Sequence, residues 1–184
     1  MWLDRQGFIW KFLLDPGGTG ALAPATTSLA RTVARVTCRE LERQRRTTSS
    51  SPGLRLIELG AGTGALTRTI RQLQPLLVER DESWAHLLRC RFPGLEVRSE
   101  CATRTLESLD HPVGVVTSIP MLNNPQSQEI RQLLGRRYAE GLIKFCVLYT
   151  YGWADPLGGV GFRVGRRDSF VARSFPPASV WVYR

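Results

Sequence analysis

An apolar run from Leu54 to Leu59 ends directly in Gly60-Ala61-Gly62-Thr63-Gly64, and Leu66, Ile70 and Leu73 follow at helical spacing. A strand that breaks into three alternate glycines and then a helix admits few folds. Glycine lets the backbone turn tightly and lets a ligand approach without a Cβ in the way. A structural strand-to-helix turn needs only one or two. The G-x-G-x-G spacing differs from the G-x-G-x-x-G of dinucleotide-binding turns. Glu58, just before the turn, suits a cationic ligand better than the phosphate that a helix N-terminus attracts.

The rest of the chain repeats the alternation. Leu76, Leu77 and Val78 read as a second strand, with a helix after it carrying Trp84, Leu87 and Leu88 and stopping before Phe92-Pro93-Gly94. Strands are expected at Leu95 to Val97, Val113 to Thr117 and Leu142 to Tyr151, and a helix at Gln126 to Tyr138. Upstream, Thr26, Thr27 or Ser28 can cap a helix with Leu29, Val33, Val36 and Leu41 on one face. The polar stretch Arg45 to Pro52 reads as a surface connection. Strands alternating with helices imply a parallel sheet covered on both faces. The β-prone tail, Asp168 to Phe175 and Ser179 to Tyr183, implies an antiparallel pair at its edge. Residues 1–53 would supply N-terminal helices packed on a core at 54–184, a single domain overall.

Glu79 ends the second strand, fifteen positions after Gly64, in Val78-Glu79-Arg80-Asp81. A carboxylate there can accept both hydroxyls of a ribose. The formal net charge of +9 points to an anionic partner or surface. Residues 2 to 14 read as an amphipathic helix, with Trp2, Leu3, Ile9, Trp10, Leu13 and Leu14 on one broad face. Such a helix is either a lid or an interfacial segment lying on an anionic membrane. No apolar run approaches the roughly 18 residues of a membrane span. The N-terminus does not read as a signal peptide. Four cysteines without a CxxC pair argue for a reducing compartment and against a metal site. The expected location is cytoplasmic, with peripheral contact on the inner membrane face.

ELGAGTG followed by VERD resembles the first two motifs of class I S-adenosylmethionine-dependent methyltransferases. Outside them, Thr19-Gly20-Ala21-Leu22-Ala23-Pro24 with Leu29-Ala30-Arg31 resembles the N-terminal stretch of bacterial phospholipid N-methyltransferases. Arg91-Phe92-Pro93, Thr117-Ser118-Ile119-Pro120-Met121-Leu122, Tyr149-Thr150-Tyr151-Gly152, Asp155-Pro156-Leu157 and Pro176-Pro177-Ala178 to Tyr183-Arg184 resemble later stretches of that family in the same order. The family is related to the ribosomal RNA adenine dimethyltransferases. At the third strand, Glu100-Cys101-Ala102 stands where the family has Gly-Asp-Ala. Cysteine is a poor acceptor for the adenine amino group, so Glu100 or a backbone group would replace that contact. Ser118 stands in place of the family glycine.

The resemblance implies a Rossmann-like methyltransferase fold, with a mostly parallel seven-stranded sheet, a C-terminal antiparallel strand pair and an N-terminal helical lid. It implies S-adenosylmethionine as cofactor, S-adenosylhomocysteine as product and no metal. The cofactor residues would be Thr19, Glu58, Gly60, Ala61, Gly62, Gly64, Glu79, Arg80, Glu100, Cys101, Ala102 and Thr117. Thr117, Pro120 and Tyr151 would face the reacting methyl group. Tyr151, Glu100 and His111 are the groups considered for taking a proton from an amine. The leading acceptor is the amine of a phospholipid headgroup such as phosphatidylethanolamine. The alternative is methylation, or another S-adenosylmethionine reaction, on a soluble small molecule of a biosynthetic pathway, a small-molecule amine being the expected partner. Methylation of RNA adenine is disfavoured because Met121 stands where a stacking aromatic would be needed, and nucleic acid is not the expected partner. A non-catalytic cofactor-binding module is the remaining class.

Overall fold

The structure, a computed structural model, describes residues 26–47, 53–122 and 127–184. The expected amphipathic helix at residues 2 to 14 and Thr19 lie outside the described residues. Helix α1 spans Thr27–Thr47. The Thr26 hydroxyl accepts a hydrogen bond from the Leu29 amide at 3.3 Å and so caps it. Leu29, Ala30, Val33, Ala34, Val36 and Leu41 form its buried stripe. The helix runs past Arg45, where the polar composition reads as a connection. Its buried stripe is already anchored by then, and arginines suit a helix C-terminus.

Seven strands form one sheet: β1 Arg55–Leu59, β2 Leu76–Glu79, β3 Val97–Ser99, β4 Val113–Thr117, β5 Ile143–Tyr151, β6 Gly165–Val171 and β7 Ala178–Tyr183. The spatial order is β3-β2-β1-β4-β5-β7-β6. The first five strands are parallel, and β7 runs antiparallel between β5 and β6. Between them lie α2 Thr67–Ile70, continued by a 3-10 turn at Arg71–Leu73, then α3 Glu82–Arg91, α4 Ala102–Glu107 and α5 Ser127–Ala139. The expected α/β class, mixed sheet and antiparallel closing pair are all present. β3 begins two residues later than expected, β6 begins three residues earlier and ends at Val171 with Phe175 in the turn, and α4 is an additional helix.

One face of the sheet packs α1, with Leu66 and Ile70, onto Leu56, Val116, Val147, Val180 and Val182. The other packs Ala102, Leu106, Ile130, Leu133 and Leu134 onto Ile57, Val115, Cys146 and Leu148. Alternate residues of β1 and β4 therefore enter opposite cores, as strands buried on both faces must. The chain leaves β1 toward β2 and β3, then returns on the other side as β4. This reversal opens a crevice at the carboxyl ends of β1 and β4, where open parallel sheets bind ligands. Glu40, 1% exposed, takes a hydrogen-bonded ion pair from Arg184 and joins α1 to the end of β7.

Candidate cofactor and acceptor site

The glycine turn sits at this crevice. Gly60, Gly62 and Gly64 have φ of +71°, +52° and +78°, a region that side chains rarely adopt. A Cβ on Gly60 would lie 2.5 Å from Ile119 in the loop after β4, and one on Gly64 would lie 2.4 Å from the Phe92 ring. These two glycines serve close packing. At Gly62 a Cβ would meet only the Gly60 carbonyl, at 4.0 Å. That position faces open space, so its backbone is accessible to a ligand. Amides of Gly60 and Ala61 both donate to the Val78 carbonyl, which fixes the turn to β2. Arg91 donates to the Thr63 carbonyl from α3.

Glu79 is buried at the carboxyl end of β2. Its Oε2 accepts from the Gly62 amide at 2.9 Å, and its Oε1 from the Asp81 amide at 3.0 Å. Each carboxylate oxygen has a further lone pair, so a diol can still be accepted. Asp81 caps α3 through the Ser83 and Trp84 amides, and Arg80 is exposed beside it.

Glu58 points into the α1 side of the core and is fully buried. The Thr67 hydroxyl donates to its Oε2 at 2.7 Å, while Oε1 has no partner among the described residues. Burial pushes the carboxyl up to about 8, against the lowering effect of the Thr67 hydrogen bond. Glu58 is therefore mostly neutral at pH 7, which corrects its expected role as a standing negative charge before the turn. Tyr149 on β5 approaches the same pocket. Burial raises its phenol above the ordinary tyrosine value, and the Ser118 hydroxyl hydrogen-bonds to it. Thr67, Ser118 and Tyr149 were not singled out as site residues from sequence. Only the register of β5 beside β4 and the start of α2 bring them together.

Thr117 ends β4 fully buried. Its hydroxyl donates to the Leu59 carbonyl at 3.1 Å and accepts from the Ile119 amide at 3.1 Å. It shapes the loop after β4 that carries Ile119 against the glycine turn and continues into Pro120. Tyr151 closes β5, edge to face with Tyr149 at 6.0 Å between ring centroids. Burial raises its phenol as well, so Tyr151 is a hydrogen-bonding group at neutral pH rather than a ready base.

Cys101 is exposed at the start of α4, accepting from the Thr103 hydroxyl, and Ala102 is buried beneath it. The Glu100 carboxylate is already engaged by the Thr105 hydroxyl at 2.8 Å, with Arg98 and Arg104 at 3.9 and 3.8 Å. His111, paired with Asp110, lies before β4 at the amino edge of the sheet, opposite the crevice, and cannot serve as a base there. Met121 is 2% exposed in the core with Leu133 and Leu134, so its side chain does not face an acceptor.

No protein-family model matches this sequence, and no curated protein does. Solved structures match it in fold. The bifunctional kinase-methyltransferase WbdD superposes with a TM-score of 0.61 at 13% identity over 83% of this chain. The chain spans only 39% of WbdD's length. Magnesium protoporphyrin IX methyltransferase (ChlM) from Synechocystis PCC 6803, solved with bound S-adenosylmethionine, has a TM-score of 0.58 at 14% identity. That match covers 99% of this chain and 97% of ChlM. The 23S rRNA methyltransferase ErmE has a TM-score of 0.55 at 19% identity, over 84% of this chain and 67% of ErmE. The fold is that of the Rossmann-like methyltransferases.

Proposed function

We propose that this chain is an S-adenosylmethionine-dependent N-methyltransferase whose acceptor is the amine of a phospholipid headgroup such as phosphatidylethanolamine. The observation that carries the cofactor is the left-handed Gly62 backbone, open to a ligand and hydrogen-bonded to Glu79. One further feature fits S-adenosylmethionine: each carboxylate oxygen of Glu79 keeps a lone pair beyond its bond to the Gly62 or Asp81 amide, which suits the ribose diol. Bound there, S-adenosylmethionine supplies an activated methyl group. The residues of the chain have only to hold a neutral amine in line with it. The loop Thr117 to Leu122 offers backbone carbonyls to the amine, and Tyr151 offers a phenol. Arg80, Cys101 and Ala102 would border the cofactor, and Glu100 would act on it through the shape of the β3 end.

The phospholipid acceptor is supported by the ordered resemblance of the motifs flanking the turn and by the +9 charge. A soluble small-molecule amine is the second reading. It is supported by Cys101 and Ser118, which depart from the phospholipid-methyltransferase pattern. Calorimetric titration with S-adenosylmethionine tests the cofactor. Gly62→Ala should weaken binding at least tenfold, and Glu79→Ala should cost about 1–3 kcal/mol through lost charged hydrogen bonds. Unchanged affinity in both variants would refute the assignment. Labelled S-adenosylmethionine offered with phosphatidylethanolamine vesicles or a panel of soluble amines then separates the two acceptors.

A further inference from the structure

A solvent-open cavity of about 500 Å3 lies between the first turns of α1 and the β6–β7 turn. Thr27, Ser28, Arg31, Thr32, Arg35 and Arg173 line it. The Thr26 hydroxyl joins its two walls through Ser174, at 3.4 Å. Tyr151 pairs with Ala178, so the β6–β7 turn stands at the carboxyl end of β5. The cavity therefore opens on the same sheet edge as the glycine turn.

Its charge is unusual for this molecule. Towards the other end of α1, arginines meet carboxylates: Arg39 and Arg166 pair with Asp168, and Arg184 with Glu40. In the cavity, Arg31 and Arg35 sit one helical turn apart and Arg173 lines it from the β6–β7 turn, with no carboxylate among the described lining residues. Arg35 is oriented by Ser169 at 3.4 Å. The first turn of α1 carries no acidic residue, so the positive end of the helix dipole adds to the same field. All three arginines are exposed, and an anion held among them would offset their mutual repulsion, which solvent only partly screens. Their planar forks, with the Thr27 and Ser28 hydroxyls, supply donors for several oxygens at once, as a phosphate requires. The volume admits more than the bare ion.

We propose that this cavity binds a phosphate-type oxyanion. Its assignment to the phosphate end of the methyl acceptor rests on the methyltransferase reading above. A free phosphate ester and a lipid headgroup share this chemistry. Phe175, 83% exposed on the same turn, would face the apolar side of a lipid.

The test uses the full chain, the Arg31→Glu, Arg173→Glu variant and its milder counterpart Arg31→Gln, Arg173→Gln. A charge-matched control, Arg45→Glu, Arg46→Glu, carries the same change at the far end of α1. One arm titrates inorganic phosphate by calorimetry. The other measures cosedimentation with phosphatidylcholine vesicles carrying phosphatidic acid. Wild type and control should bind in at least one arm, and both cavity variants should lose at least tenfold there with unchanged melting temperature. Binding to phosphate ion identifies a soluble ester; binding to vesicles alone identifies a lipid phosphate. Wild type that binds in neither arm, cavity variants that bind like wild type, or a control that loses as much would overturn the proposal. S-adenosylmethionine affinity, measured in parallel, keeps the two failures apart. Its absence would sink the methyltransferase reading while leaving the oxyanion site standing.

Discussion

Glu58 is the residue whose chemistry departs furthest from its type. Its carboxyl is buried, with one oxygen held by Thr67 and the other unpartnered among the described residues. The ordinary value near 4.5 rises to about 8. The sign of the stability effect follows. Between these two values the folded state keeps a proton that the unfolded state has lost, so stability falls as pH rises through that window and levels off above it. Each pKa unit corresponds to about 1.4 kcal/mol, so the full effect is on the order of 5 kcal/mol. Glu58→Gln removes the titration while keeping the shape and an acceptor for Thr67. Urea midpoints at pH 5, 6.5 and 8 should decline for the wild type and stay nearly level for the variant. Parallel curves would place the Glu58 titration elsewhere.

At the scale of elements, α1 is held to the sheet at both ends by polar contacts and between them by its apolar stripe. The Glu40 to Arg184 pair closes the far end, almost wholly buried on the Glu40 side. Glu40→Ala would leave Arg184 without its main partner in a half-buried setting, at a cost of roughly 2 kcal/mol after allowing for its partial exposure. Chemical denaturation should show that loss, whereas Glu42→Ala, on the exposed side of α1, should change little. Elements of this kind were legible where the sequence repeats a period. The apolar run into Gly60, the Val113 to Thr117 strand, the stripe of α1 and the paired tail strands all carry one. Helix α4 was not, because six residues with Leu106 as the one large apolar side chain give no periodicity. Glu79 beside the glycine turn was legible because the β1–turn–β2 unit is local. The Glu58, Thr67, Ser118 and Tyr149 cluster was not, because it depends on strand register. The inward turn of Met121 and the sharing of one cavity by Arg31 and Arg173 are likewise tertiary facts.

For the whole molecule, the balance of 25 basic against 16 acidic residues sets a measurable direction. Its surface ion pairs, such as Arg55 with Glu96 and Arg98 with Glu96, are exposed, and each such pair is typically worth about 0–1 kcal/mol. Repulsion among the excess arginines acts across the entire surface and favours the expanded chain. Salt weakens both, with a screening length of about 10 Å at 0.1 M. Because cations exceed anions by nine, repulsion is the larger quantity. The melting temperature should therefore rise between roughly 20 and 200 mM sodium chloride. A falling melting temperature would mean that the individual ion pairs dominate. Phosphate at matched ionic strength should raise it further, because an anion that binds only the folded cavity adds stability by mass action. Excluded-solute stabilisation by phosphate acts on any surface, so the cavity variant separates the causes. In Arg31→Glu, Arg173→Glu the excess of phosphate over chloride should vanish while the rise with chloride persists. An excess that survives the substitution would assign it to solvent exclusion rather than to a bound ion.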